Sequence, residues 1–152
     1  MGNDRLDELH ELYFNLIPLF YKCKTIYMDR NKTYDLCNKN QSMAVMIIGK
    51  AEGITPTALS KLINMEKGSL TALIDSLVEK KLAIRSNDPE DRRKILLSLT
   101  SEGIEHMKAI EEQSKQELLL MVANLDEKEV NQMHDSLKIL VELLKKIAGR
   151  TV

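Results

Sequence analysis

Arg92, Arg93 and Lys94 stand side by side between the charged stretch Arg85-Ser-Asn-Asp-Pro-Glu-Asp91 and the apolar run Ile95-Leu-Leu-Ser-Leu99. Three adjacent cations on a turn supply neither a nucleophile nor a general base. What they do well is neutralise phosphates. A second group, Lys67, Ser69 and Thr71, opens the segment Lys67-Gly-Ser-Leu-Thr-Ala-Leu-Ile-Asp-Ser-Leu77, and Lys61 lies just upstream. Hydroxyls and backbone amides at a helix start meet phosphates or base edges, and nearby lysines meet the backbone. Each group also has a plain reading: a solvated hairpin tip, a local cap at Ser69, solvated lysines. Gly68 reads as close helix packing or backbone approach rather than as chemistry.

The elements that would position these residues follow from turn chemistry and periodicity. Asn87-Asp88-Pro89 is strong loop chemistry, so 82–85 and 94–99 read as the two strands of a hairpin with a basic tip. Ile95, Leu97 and Leu99 alternate with Lys94 and Ser98, although Leu96 breaks the polar face. Upstream, Thr55 caps a short helix with Pro56 in its first turn, and Asn64 suits the turn that follows. The next helix runs from about Lys67 to Lys80, with Leu70, Leu73 or Ile74, and Leu77 inward. At roughly 1.5 Å rise per residue it reaches about 20 Å, enough to lie across a major groove. Two short helices and a basic hairpin in this order form a winged helix-turn-helix.

The flanks are helical. Leu6, Leu9, Tyr13, Leu16, Phe20, Cys23 and Tyr27 recur at spacings of three and four, with a kink or short break expected at Pro18. Residues 38–41 read as a polar linker, followed by a mostly apolar helix over 43–51 that Gly53 would end. Thr100 caps a long fifth helix, and Asp126 with Glu129 opens a sixth through a capping box. In the sixth, Val130, Met133, Leu137, Leu140, Leu144 and Ile147 form a seam for another helix. The fold class is mainly α with a small β-hairpin wing. A winged helix-turn-helix lobe over 40–100 is flanked by dimerisation helices over 1–36 and 101–152, in one domain of 152 residues. A two-fold dimer would set two recognition helices about one turn of DNA apart.

Net charge is −1, so the chain lacks the global basicity common in nucleic-acid binders. Distribution decides more than the total. Residues 50–100 carry nine cations against seven anions, whereas 101–152 carry seven against ten, so the middle segment alone is net positive. The longest apolar stretch, 118–123, is far short of the ~20 residues that span a bilayer, and the acidic N-terminus is no signal peptide, so a cytoplasmic location is expected. Cys23 and Cys37 show no CxxC or zinc-finger spacing and read as free thiols. His10, His106 and His134 are scattered, and no metal or cofactor is expected. P-loop, G-x-S-x-G and H-E-x-x-H patterns are absent, so no enzyme is read here.

Gly68-Ser69-Leu70-Thr71, then Leu82-Ala-Ile-Arg85, then Asp91-Arg92-Arg93, then Leu99-Thr100-x-x-Gly103 resemble, in order and spacing, the MarR family of bacterial transcription regulators. The resemblance is carried by 54–103, and the flanking helices fit the family topology. It implies a homodimeric, sequence-specific DNA-binding regulator that represses from a pseudo-palindromic operator and is released by a small molecule or oxidant. It implies that Asp91 orients the wing and Arg93 enters the minor groove, with Arg92 and Lys94 beside it. Family members hold aromatic acids in a cleft between the first helix and the winged domain, so Tyr13, Ile17, Phe20 and Tyr21 become candidates for a small aromatic or phenolic effector, with Arg85 as carboxylate partner. For Arg85 the plain reading is a salt bridge or phosphate contact.

All six aromatics fall within the first 34 residues, most of them expected as core or dimer contacts. The redox-sensing branch carries its reactive Cys early in the first helix; here that stretch is Leu12-Tyr13-Phe14, so Cys23 reads as a buried inert thiol. Two alternatives stand beside the regulator: a winged-helix protein-interaction module and a redox-responsive regulator using Cys23. Salt dependence separates the first from a DNA binder.

Overall fold

A computed structural model describes residues 3–27, 37–51 and 53–149; Tyr34, among the aromatics noted above, lies outside the described residues. Helix α1 spans Asn3–Tyr27, α2 Lys39–Lys50, α3 Pro56–Ile63 and α4 Lys67–Glu79; strands β1 (Ala83–Asn87) and β2 (Ile95–Leu99) follow, then α5 (Ser101–Val122) and α6 (Glu127–Ala148). The mainly helical class with one hairpin is the one expected. The chain divides into two compact units, one of 30–115 and one of 1–29 with 116–152.

In the first unit, short polar side chains set where each helix begins. The Asn38 side chain accepts from the Gln41 amide at 3.0 Å, and Gln41 Oε1 accepts from the Asn38 amide at 3.0 Å. This reciprocal capping box makes 38–41 the start of α2 rather than a polar linker, because those side chains satisfy amides that a helix start leaves open. Thr55 caps α3 by accepting from the Ala58 amide at 3.2 Å, with Pro56 in the first turn, and Asn64 closes α3 in the left-handed region at φ 55°. The exit of α4 is a Schellman closure: Lys81 takes φ 58°, its amide donates to the Val78 carbonyl, and that of Leu82 donates to Leu77, both at 2.9 Å. The turn aims the chain directly into β1.

The wing strands are antiparallel, registering Ala83 with Leu99 through Asn87 with Ile95. Ile54, in the loop before α3, exchanges two backbone bonds with Leu97 at 3.2 and 2.8 Å, a rung that ties α3's entrance to the wing. Beneath lies the core: Ala44, Val45 and Ile48 from α2, Leu59 from α3, Leu70, Leu73, Ile74 and Leu77 from α4, and Leu82, Ala83 and Leu97 from the wing. Both Leu73 and Ile74, offered as alternatives by periodicity, are buried. Each large aliphatic side chain of this kind contributes about 1.5–3 kcal/mol of burial, so the three helices and the hairpin hold one another as a single packed body. The start of α5 closes it. Thr100 Oγ1 accepts from the Gly103 amide at 2.9 Å and donates to the Lys81 carbonyl at 2.5 Å. A Cβ on Gly103 would stand 1.9 Å from the Leu82 carbonyl oxygen, so only glycine admits the approach of helix to turn.

The second unit has a different character. Helix α1 is one continuous 25-residue helix with Pro18 inside it, so of the kink or short break expected there the break does not occur: proline removes a single rung of the ladder, and the turns on both sides remain helical. The Asp126 and Glu129 capping box opens α6 at 2.8 and 2.9 Å. Over residues 4–23 of α1 and 127–148 of α6 no side chain is buried. Leu9, Leu137, Leu144 and Ile147 are all exposed, as are Tyr13, Phe14, Phe20 and Tyr21, so these four aromatics are not core residues.

Candidate DNA interface

Thr55, Asn64 and the core leucines fix α3 and α4 as a helix-turn-helix, and they leave the outer surface of α4's first turns open. Lys67, Gly68, Ser69, Thr71 and Ala72 are exposed there, while Leu70 faces the core. Ser69 does not cap the helix: Glu66 holds the cap position and contributes no side-chain bond, which leaves the first-turn amides without a side-chain acceptor. The Thr71 hydroxyl donates to the Lys67 carbonyl at 2.9 Å. Lys61 on α3 is exposed as well. Among the described residues Gly68 has nothing within 4 Å of where a Cβ would sit, so of the two readings, close helix packing and backbone approach, the packing one finds no partner here.

At the wing tip, two aspartates shape the loop from within. Asp88 Oδ1 accepts from the Glu90 amide at 2.8 Å, and Asp91 Oδ1 accepts from the Arg93 amide at 3.1 Å. The Lys94 amide donates to the Asp91 carbonyl at 2.8 Å, and the Asp88 amide to the Lys94 carbonyl at 3.0 Å, closing the hairpin. Asp91 also draws Lys94 Nζ to 3.5 Å, an exposed pair of small energetic weight. The side chains of Arg92 and Arg93 form no hydrogen bond or ion pair among the described residues, and both are exposed. Asp91 therefore serves loop geometry, and the two guanidiniums beside it remain available to an outside partner.

The wing and α4 are joined by the salt bridge that is the plain reading of Arg85, to a partner the sequence did not announce. Arg85 Nη2 on β1 donates to Asp75 Oδ1 on α4 at 2.5 Å. The pair engages the guanidinium considered for an effector carboxylate, the salt-bridge reading of Arg85, and neutralises the one carboxylate in the middle of α4's outer face. A second link was equally hidden: Gln41 Nε2 donates to Ser76 Oγ and Lys80 Nζ donates to Gln41 Oε1, both at 2.9 Å, pinning the end of α4 to the start of α2. Contacts ten and thirty-five residues apart across different elements leave no periodic trace, which is why only the fold reveals them.

Tyr13, Ile17, Phe20 and Tyr21 share one stretch of α1, all exposed. His10 and Phe14 pack against each other with tilted rings, centroids 4.6 Å apart, on the same helix. Cys23 is half-buried, not fully enclosed as an inert core thiol would be. Burial pushes the Cys37 thiol up, with Lys80 pulling the other way, so its thiolate is disfavoured. Burial holds His106 below the ordinary imidazole range, and the Lys80 charge adds to this. Among the described residues no group of three His, Cys, Asp or Glu could hold a metal ion, and no helix is long and apolar enough to cross a membrane.

Two helices in helix-turn-helix arrangement, a hairpin with free arginines and an open recognition-helix face define a winged helix-turn-helix of the nucleic-acid-binding class. Residues 37–95 match the MarR family. The multiple antibiotic resistance protein MarR of Salmonella typhimurium is 31% identical over 102 residues, 61% of this chain and 69% of that protein. The HTH-type transcriptional repressor YetL of Bacillus subtilis is 34% identical over 65 residues, 43% of this chain and only 39% of that protein's length. The reduced form of MarR from E. coli superposes with a TM-score of 0.69 at 26% identity, covering 83% of this chain and 93% of that one. The chain belongs to the MarR family, whose members are DNA-binding transcription regulators and not enzymes.

Proposed function

We propose that the chain binds a pseudo-palindromic DNA operator as a homodimer, represses transcription from it, and is released by a small aromatic or phenolic effector. The observation that carries the reading is the pair of exposed polar surfaces in one packed unit. Lys67, Ser69 and Thr71 on α4 and the unengaged Arg92 and Arg93 on the wing are carried by one packed core, with the Asp75 and Arg85 pair linking α4 to β1. In this reading α4 enters the major groove, Arg93 enters the adjacent minor groove with Arg92 and Lys94 on the flanking phosphates, and Lys61 contacts the backbone. Asp91 acts through the loop it shapes.

The homodimer reading is supported by the apolar residues of α1 and α6, Leu9, Phe20, Leu137, Leu144 and Ile147 among them, which are exposed among the described residues. Terminal helices with such faces are satisfied by a second copy, which brings two recognition helices to successive major grooves. Tyr13, Ile17, Phe20 and Tyr21 are the proposed effector contacts, and an effector acts by binding one geometry of the dimer better than the other. Selection from a randomised duplex library tests the reading. A two-fold symmetric site is expected, with Arg93→Ala weakening it; enrichment of no sequence would refute it.

A further inference from the structure

Each glycine inside the first unit answers to something in the chain, except one. A Cβ on Gly49 would stand 2.2 Å from Met107 Sδ and 2.7 Å from Leu99 Cδ1, and one on Gly103 would stand 1.9 Å from the Leu82 carbonyl oxygen. Gly53 takes φ +108°, a conformation that side chains rarely adopt. Gly68 has neither reason. It is the second residue of α4, its φ lies outside the positive range, and a Cβ there would meet nothing within 4 Å. Glycine in a helix is unfavourable relative to alanine because it surrenders the most backbone freedom on folding. The protein thus carries a locally unfavourable residue at an exposed position that no contact within the described chain requires. Its neighbours are Lys67, Ser69 and Thr71, all exposed and polar.

We propose that Gly68 is where a DNA strand makes its nearest approach to the recognition helix, the absent side chain giving room for the sugar-phosphate backbone to lie against the main chain of α4's first turn. The inference rests on the DNA-binding reading above and adds to it an affinity-determining residue that carries no charge and donates no side-chain bond. Space, not attraction, is what Gly68 contributes. A methyl group at this point pushes the strand away from Lys67 and Ser69 and costs binding while improving the helix.

Gly68→Ala separates this from a structural role, because the two readouts move in opposite directions. The thermal midpoint of the full-length variant is expected to be unchanged or higher. Its affinity for the duplex that the wild type selects from a randomised library is expected to fall by about tenfold or more, equivalent to roughly 1.4 kcal/mol. Arg93→Ala is measured beside it on the same duplex. Wild-type affinity in Gly68→Ala together with weakened Arg93→Ala overturns the proposal and leaves DNA binding standing. A lowered midpoint in Gly68→Ala overturns it by showing that the glycine serves the fold. Failure of the wild type to enrich any duplex overturns both readings together.

Discussion

His106 is a buried side chain on α5, 6% exposed, and its titration has a readable consequence. Burial and the Lys80 ammonium both disfavour the imidazolium, so its folded pKa lies below the ordinary value of about 6.5. The unfolded chain then binds the proton more readily than the folded one. His106 leaves stability untouched above about pH 6.5 and withdraws it as pH falls from there through the folded pKa. Urea unfolding at about pH 7.5 and about pH 5.5 is expected to show a loss at the lower pH that shrinks in His106→Leu. Equal losses in both proteins would remove His106 as the cause. At the wing, Arg93→Ala is expected to cost operator affinity roughly 1–3 kcal/mol with folding unchanged, since the side chain is exposed and pairs with none of the described residues. Unchanged affinity would move the groove contact to Arg92 or Lys94.

At the scale of elements, the contact between the first turn of α5 and the turn leaving α4 decides whether the wing sits where it does. Thr100 bonds to Lys81 and to Gly103, and Gly103 lies directly against the Leu82 carbonyl. Gly103→Ala is expected to destabilise the chain by about 1–3 kcal/mol through overpacking against backbone that has nowhere to go. A midpoint equal to wild type in chemical denaturation would show that the turn gives way at no cost. These elements were mostly legible in the sequence because their signals are local: Thr55 with Pro56, Asn64, Thr100, Asp126 with Glu129, and the spacing of Leu70, Leu73, Ile74 and Leu77 all act within a turn or two. What was not legible is long-range or context-dependent. The Ile54 rung to Leu97, the Arg85 bridge to Asp75 and the Gln41 link to Ser76 and Lys80 join residues far apart in sequence. The polar run 38–41 looks like a linker until two of its side chains cap one another, and Pro18 looks like a break although one missing amide does not end a 25-residue helix. The basic wing and the first turn of α4 were visible as candidates from residue type; that Arg92 and Arg93 are unengaged while Lys94 is tied to Asp91 needed the fold.

The molecule as a whole pairs a self-sufficient lobe with helices that do not complete themselves. The lobe of 30–115 has a closed core, whereas α1 and α6 keep large apolar residues in solvent. In the homodimer we propose, that imbalance is resolved by a second copy. Truncation before Leu125 removes α6 and is expected to give monomer or aggregate by sedimentation; a soluble dimer from the truncated chain would place the interface elsewhere. The near-zero net charge is compatible with DNA binding because the positive excess lies in residues 50–100, where α4 and the wing are. The most direct test of the central claim is the affinity of the purified protein for its selected duplex, followed by fluorescence anisotropy across a salt series. An operator-binding dimer predicts a two-fold symmetric site and a steep fall of log affinity with log salt, at about 0.9 of a unit for each phosphate neutralised. A flat salt dependence, or no sequence preferred over random duplex, would contradict the account and point to a protein partner for the same surface.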